Sequence, residues 1–141
     1  MRVIHPGGHE QEYRYDHLVL SVGARTGFFG IKDVEEHAFT AKTLGDALHL
    51  RNWAIEMLET AEVEADAATR AELLTFVVAG GGLTGVEMAG ELNDLVRQAL
   101  KSYPTLNQRE VRIILVEAMP RLMPEFDANL DIGSTIAMWA G

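Results

Sequence analysis

An α/β fold built on a parallel strand, a glycine turn and a helix is predicted by three features of this sequence. Leu74–Ala79 is a short run of apolar, β-branched and aromatic residues, which reads as a buried parallel strand. Gly80, Gly82 and Gly85 follow at G-x-G-x-x-G spacing, and an amphipathic run starts directly behind them. Val111–Glu117 (VRIILVE) then reads as a second parallel strand closed by an acid. Together these form part of a Rossmann-like βαβ unit, the context that a dinucleotide fingerprint requires.

Each glycine has a physical task in that reading. Gly80 makes the tight turn out of the strand, Gly82 leaves the backbone open to a pyrophosphate, and Gly85 lets helix and strand pack closely. The N–H groups of the helix's first turn and the positive end of its dipole would face the phosphates. Glu117 would accept hydrogen bonds from an adenosine ribose 2′-hydroxyl and repel a 2′-phosphate, favouring NAD over NADP. The interval from Gly85 to Glu117 exceeds the usual spacing of about twenty residues. A longer helix and the loop Ser102–Glu110 account for the excess. Arg121 lies nearby, where an arginine either receives a 2′-phosphate or is solvated or paired.

The bulk composition narrows the function classes. The 141 residues are 48% hydrophobic and 23% charged, enough for one domain with a real core. A formal charge of −9 opposes phosphate-backbone attraction, so nucleic acid is not an expected partner. With no cysteine, structural disulfides, thiolate metal sites and a redox-active C-x-x-C pair are excluded. No signal peptide is visible, and the most apolar stretch is too short and glycine-broken to span a bilayer. The chain is expected to be soluble. His5 and His9 flank Pro-Gly-Gly, which makes a turn, so they are not read as a metal pair and no metal site is expected.

The rest of the chain is read in order. Arg2–His5 and Gln11–Arg14 flank a hairpin turn, and His17–Val22 (HLVLSV) reads as a further strand, completing a small β meander. Phe28 and Phe29 lie in a glycine-bounded loop as two exposed-looking aromatics, to pack on a flavin or partner or to be buried under the loop. Thr43 and Asp46 predict a capping box, and Leu44, Ala47, Leu48, Ile55 and Leu58 predict an amphipathic helix over 44–61. Glu62, Glu64, Asp66 and Glu72 form an acidic patch at a helix end and connection, and Asp66 is placed to cap a short helix through Leu73. The helix after the glycines runs to about Lys101 and buries Val86, Ala89, Leu92, Val96 and Ala99. Pro120 and Pro124 frame a turn, and Asp127–Trp139 reads as weakly helical. Only two parallel core strands are found, which points to a piece of a longer protein.

An ordered series of segments carries a family resemblance. Tyr15–Ala24 (YDHLVLSVGA), Phe29-Gly30-Ile31, Glu36–Phe39 (EHAF), Lys42-Thr43-Leu44 with Asp46-Ala47, Phe76–Glu87 (FVVAGGGLTGVE) and Val116–Pro124 (VEAMPRLMP) resemble the centre of a type II NADH dehydrogenase. These enzymes belong to the pyridine nucleotide–disulfide oxidoreductase superfamily but work without the redox disulfide. The resemblance covers the chain to about Asn129. It implies two nested Rossmann domains, for FAD and for NADH, and hydride passing from NADH to flavin and on to a quinone. It also implies a C-terminal region that meets the membrane on its cytoplasmic inner face, and it leaves open a homodimer of the parent protein.

The resemblance also assigns residues. Gly80, Gly81, Gly82, Leu83, Thr84 and Gly85 match the NADH pyrophosphate turn; Glu117, with Ala118, matches the ribose-binding strand end. Glu87 matches a glutamate near nicotinamide and flavin, although an acid in a helix's first turn is also favourable by itself. Ser21, Val22, Gly23 and Ala24 match a flavin-domain motif at the crossover, and a simple strand end also fits them. No catalytic residue is assigned. The implied domains are 1–41 in the flavin domain, 42–129 in the N-terminal half of the NADH domain, and 130–141 as a tail that departs from the family. The N-terminal flavin fingerprint and the membrane-binding end have no counterpart here, so the isolated chain is expected to be inactive. Two alternatives stay open. One is a flavin reductase with a ferredoxin, rubredoxin or nitrite reductase acceptor; the other is a non-catalytic nucleotide-binding module.

Overall fold

A computed structural model describes residues 1–28, 30–123 and the backbone of 137–138. Phe29, Pro124, residues 125–136 and 139–141 lie outside the described residues, and with them most of the tail read as weakly helical. The chain divides into two compact units, Met1–Ala38 and Phe39–Gly141.

In the first unit, β1 (Arg2–Ile4) and β2 (Glu10–Glu12) pair antiparallel, with Ile4 opposite Glu10 and Arg2 opposite Glu12. The second strand starts one residue before the expected Gln11 and ends before Arg14. The turn is tighter than read from sequence: Gly8 N–H donates to His5 O at 3.0 Å and His5 N–H to His9 O at 2.8 Å. Gly7 and Gly8 both have positive φ, as this closure requires. The meander stops there. His17–Val22 forms no strand, and Val19 and Val22 are 87% and 91% exposed. Apolar alternation gives strand propensity, but a ladder needs a neighbouring backbone, and none of the described residues provides one. A short helix not foreseen from sequence, α1 (Lys32–His37), follows Ile31, whose N–H donates to Phe28 O at 3.0 Å.

The second unit carries the expected core. In α2 (Leu44–Val63) the Thr43 side chain accepts from Asp46 N–H at 3.1 Å, and the Asp46 carboxylate accepts from Thr43 N–H at 3.0 Å. That reciprocal pair satisfies two donors at the helix start. Asp66 caps α3 (Ala67–Leu73) by accepting from Thr69 N–H at 2.8 Å. Within the patch, the Glu64 carboxylate accepts from Asp66 N–H at 2.8 Å. Glu62 accepts from the Thr105 hydroxyl at 2.8 Å, and Arg70 bonds Glu64 O and lies 3.7 Å from Glu110.

β3 (Thr75–Ala79) and β4 (Arg112–Val116) pair in parallel, Phe76 opposite Ile113 and Val78 opposite Leu115. Between them runs α4 (Leu83–Ala99), continued by a 3-10 turn at Leu100–Ser102. Ala89, Leu92 and Val96 are buried as expected, with Val86 and Ala99 half-buried. Leu92, Val96 and Ala99 meet Phe76, Leu74 and α2 in one apolar cluster. Full burial of side chains such as Phe76 and Leu58 contributes roughly 1.5–3 kcal/mol each. A third strand, β5 (Ala137–Met138), pairs parallel to β4 at Ile114 and Leu115, where a helical tail was expected.

One predicted face is corrected. Of Leu44, Ala47, Leu48, Ile55 and Leu58, only Leu58 is buried; Leu44 is 77% exposed. Ala54, Leu58 and Ala61 make the buried stripe instead. The reason is length: a 20-residue helix spans about 30 Å, whereas a five-residue strand spans about 17 Å, so the first turns of α2 overhang the sheet. Phe39 partly covers that overhang, 5.0 Å from His49 and 4.9 Å from Trp53 between ring centres.

Candidate functional site

The site is built where β3 hands over to α4. Gly80 takes φ +107, a left-handed conformation that side chains rarely adopt, and its N–H still holds the ladder through Val116 O at 2.8 Å. Gly85, in the first turn of α4, lies so close to this turn that a Cβ there would sit 1.7 Å from the Gly80 carbonyl oxygen. Any side chain at 85 would force helix and strand apart. The expected task of Gly85, close helix–strand packing, is therefore met by direct contact.

Gly82 is the N-cap of α4, and the first intrahelical bond runs from Val86 N–H to Gly82 O at 3.1 Å. Thr84 and Gly85 therefore direct N–H groups out of the helix start with no intrahelical acceptor. No acid occupies the first turn to compete for them. Glu87, expected in that turn, falls just past it and is exposed, where the dipole's pull has mostly faded. Leu83 and Thr84 are also exposed at this end.

Glu117 follows β4 directly and reaches back to the glycine turn. Its Oε2 accepts from Gly81 N–H at 2.5 Å, and its Oε1 accepts from Met119 N–H at 2.7 Å. These two donors, Met119 first and Gly81 second, hold the carboxyl below the usual glutamate range. It is thus an anion, and a carboxylate offers about four acceptor positions, so capacity remains for further donors. Ala118 is exposed beside it. Arg121 donates to Met123 O at 3.4 Å across the same return loop.

Sequence reasoning gave Gly81 no task of its own, yet it is the buried member of the turn. A Cβ on it would lie 2.6 Å from Leu122 Cδ2 and 2.8 Å from Glu117 Cβ. Its carbonyl accepts from Met123 N–H at 2.7 Å, and Met123 itself is buried with φ +43. A glycine at the variable position between Gly80 and Gly82 was the only trace of this in the sequence.

Ser21, Val22, Gly23 and Ala24 belong to the first compact unit, are exposed, and join no strand; Gly23 has φ +71. Among the described residues no group of three or more histidine, aspartate or glutamate side chains is arranged for a metal.

The sequence model of the family described as pyridine nucleotide-disulphide oxidoreductase matches residues 2–133. The chain belongs to that family. Among its oxidoreductase relatives, a probable NADH dehydrogenase of Dictyostelium discoideum is 42% identical over 121 residues, covering 84% of this chain and 27% of the relative. The type II NADH:quinone oxidoreductase Ndh of Mycobacterium tuberculosis is 39% identical over 124 residues, covering 87% and 27%. The solved structure of NDH2 from Plasmodium falciparum in complex with NADH superposes with a TM-score of 0.72 at 28% identity, over 91% of this chain and 26% of that one. The chain thus spans about a quarter of the length of the relatives it matches. The expected resemblance to type II NADH dehydrogenases is the one these oxidoreductases bear out, and the α/β fold agrees with it. Among the described residues no helix is long and apolar enough to cross a membrane.

Proposed function

We propose that this chain is the central part of an NADH:quinone oxidoreductase and forms its NADH pyrophosphate and ribose site. The observation that carries the reading is the convergence of three elements at the start of α4. They are the Gly80–Gly85 contact, outward-directed N–H groups, and the anionic Glu117. A diphosphate suits the first two, since backbone donors and a helix dipole both favour negative charge. An adenosine ribose suits the third, because a carboxylate accepts from a 2′-hydroxyl and repels a 2′-phosphate.

In this reading Gly80, Gly81, Gly82, Leu83, Thr84 and Gly85 form the pyrophosphate cradle, with Glu117 and Ala118 at the ribose. Glu87 lies further along the exposed side of α4. Ser21–Ala24 offer an exposed main chain to FAD, and 1–41 belong to the flavin domain, 42–129 to the NADH domain. When bound, FAD supplies the redox chemistry, taking hydride from NADH and passing electrons to a quinone. The residues of this chain bind and orient the nucleotide; none of them is assigned a proton or a covalent step. Quinone, the inner face of the membrane and a second protomer are met by other parts of the protein.

The test is NADH oxidation by the full-length flavin-loaded protein with a soluble ubiquinone analogue as acceptor. Quinone-dependent turnover is expected. NADH oxidation that no quinone supports would overturn the acceptor assignment, and no NADH oxidation at all would overturn the reading.

A further inference from the structure

Gly81 is held from three directions by the return loop after β4. Its N–H donates to Glu117 Oε2, its carbonyl accepts from Met123 N–H, and Leu122 lies over its Cα. Its φ is outside the left-handed region, so alanine's backbone preferences are no obstacle and contacts alone decide what fits. Of the atoms a Cβ would strike, Leu122 Cδ2 at 2.6 Å is the end of a flexible side chain and can swing aside. Glu117 Cβ at 2.8 Å and Cγ at 3.0 Å cannot, because Cβ is fixed to the backbone at the end of β4.

We propose that Gly81 is a positioning residue for dinucleotide choice: its missing side chain lets Glu117 close onto the turn and fixes the carboxylate at the sugar. This rests on reading the turn as the NADH site. A methyl group at 81 displaces Glu117 and breaks the bond to the Gly81 N–H. The acid remains in the chain but is no longer held by two donors, so its preference for a hydroxyl over a phosphate falls. Glu117 then acts twice, accepting from the ribose on one side and from the turn that holds the diphosphate on the other.

The experiment titrates the 141-residue chain with NADH and, separately, NADPH, following nucleotide fluorescence, for wild type, Gly81→Ala, Glu117→Ala and the double variant. Gly81→Ala is expected to narrow the NADPH/NADH Kd ratio by roughly tenfold or more, the scale of one charged hydrogen bond. Adding Glu117→Ala should then narrow it by much less than Glu117→Ala does on its own. Equal loss of affinity for both nucleotides, or the same effect of Glu117→Ala with and without Gly81→Ala, would overturn the proposal. A wild-type chain that binds neither nucleotide would overturn the reading of the site and this inference with it. An unchanged ratio with NADH binding intact overturns this inference alone. If Gly81→Ala fails to fold by circular dichroism, Gly81→Ala/Leu122→Ala removes the 2.6 Å contact and keeps those to Glu117. Hydrogen exchange at the Gly81 amide gives a readout with the turn unaltered. It should quicken about tenfold or more in Glu117→Ala, and an unchanged rate would contradict the clamp.

Discussion

The carbonyl oxygen of Gly80 occupies the place where any other residue at position 85 would carry its Cβ, 1.7 Å away. Helix and strand are therefore joined at a distance that only glycine permits, and the turn between them has no room to relax. Gly85→Ala is expected to lower stability by about 3 kcal/mol or more, at or beyond the usual range for overpacking. Urea denaturation followed by circular dichroism measures it. A loss below about 1 kcal/mol would mean the turn yields easily.

Phe76 connects the turn's strand to the helix layer. It is 1% exposed, and its ring meets Trp53 edge-on, with centres 5.7 Å apart. Phe76→Ala should cost about 3–5 kcal/mol and shift Trp53 emission to the red as water reaches the indole. Unchanged emission in a folded variant would place Trp53 elsewhere.

Thr43 begins α2 through its reciprocal bonds with Asp46. Replacing it with alanine removes the side-chain acceptor for Asp46 N–H and is expected to cost about 1 kcal/mol. The overhanging first turns of α2 lack buried apolar contacts, so this end should fray first. Faster amide exchange confined to the residues after Thr43 would show it.

Among the described residues, three carboxylates contribute to the acid limb of the stability profile. Asp46 is lowered by the N–H groups of Lys42 and Thr43, Asp66 by the N–H and hydroxyl of Thr69, and Glu117 by the N–H groups of Met119 and Gly81. A folded value below the unfolded one gives stability that is present above the unfolded value and lost as pH falls through the folded one. With ordinary values of 3.8 for Asp46 and Asp66 and 4.5 for Glu117, their contribution is complete above about pH 5 and declines below it. Asp46→Asn/Asp66→Asn should flatten the decline in urea midpoint between about pH 5 and pH 3. The same slope in the double variant would contradict this account of the two caps.

What was legible in the sequence was local chemistry. Thr43 with Asp46, Asp66 before α3, and the Gly80–Gly85 spacing each announce themselves within a few residues, and each stands where it was expected. Contacts between distant segments were not legible. The bond from Gly81 to Glu117 joins residues 36 apart, and neither its length nor the burial of Gly81 leaves a periodic signal. The strand expected over His17–Val22 has the composition of one, but pairing depends on a partner backbone that composition does not reveal. Leu44 and Leu48 keep helical spacing yet lie beyond the strands they would cover. The helix α1 has no side-chain cap and no buried residue, so neither cue for a helix was present.

The central claim is that the adenine dinucleotide lies with its diphosphate at the first turn of α4 and its ribose at Glu117. Backbone amide NMR of the chain during an NADH titration tests it most directly. The account predicts saturable shifts concentrated at Gly82, Leu83, Thr84, Gly85, Glu117 and Ala118, with the hairpin Arg2–Glu12 unmoved. Saturable binding that shifts the hairpin and leaves the glycine turn unchanged would contradict it.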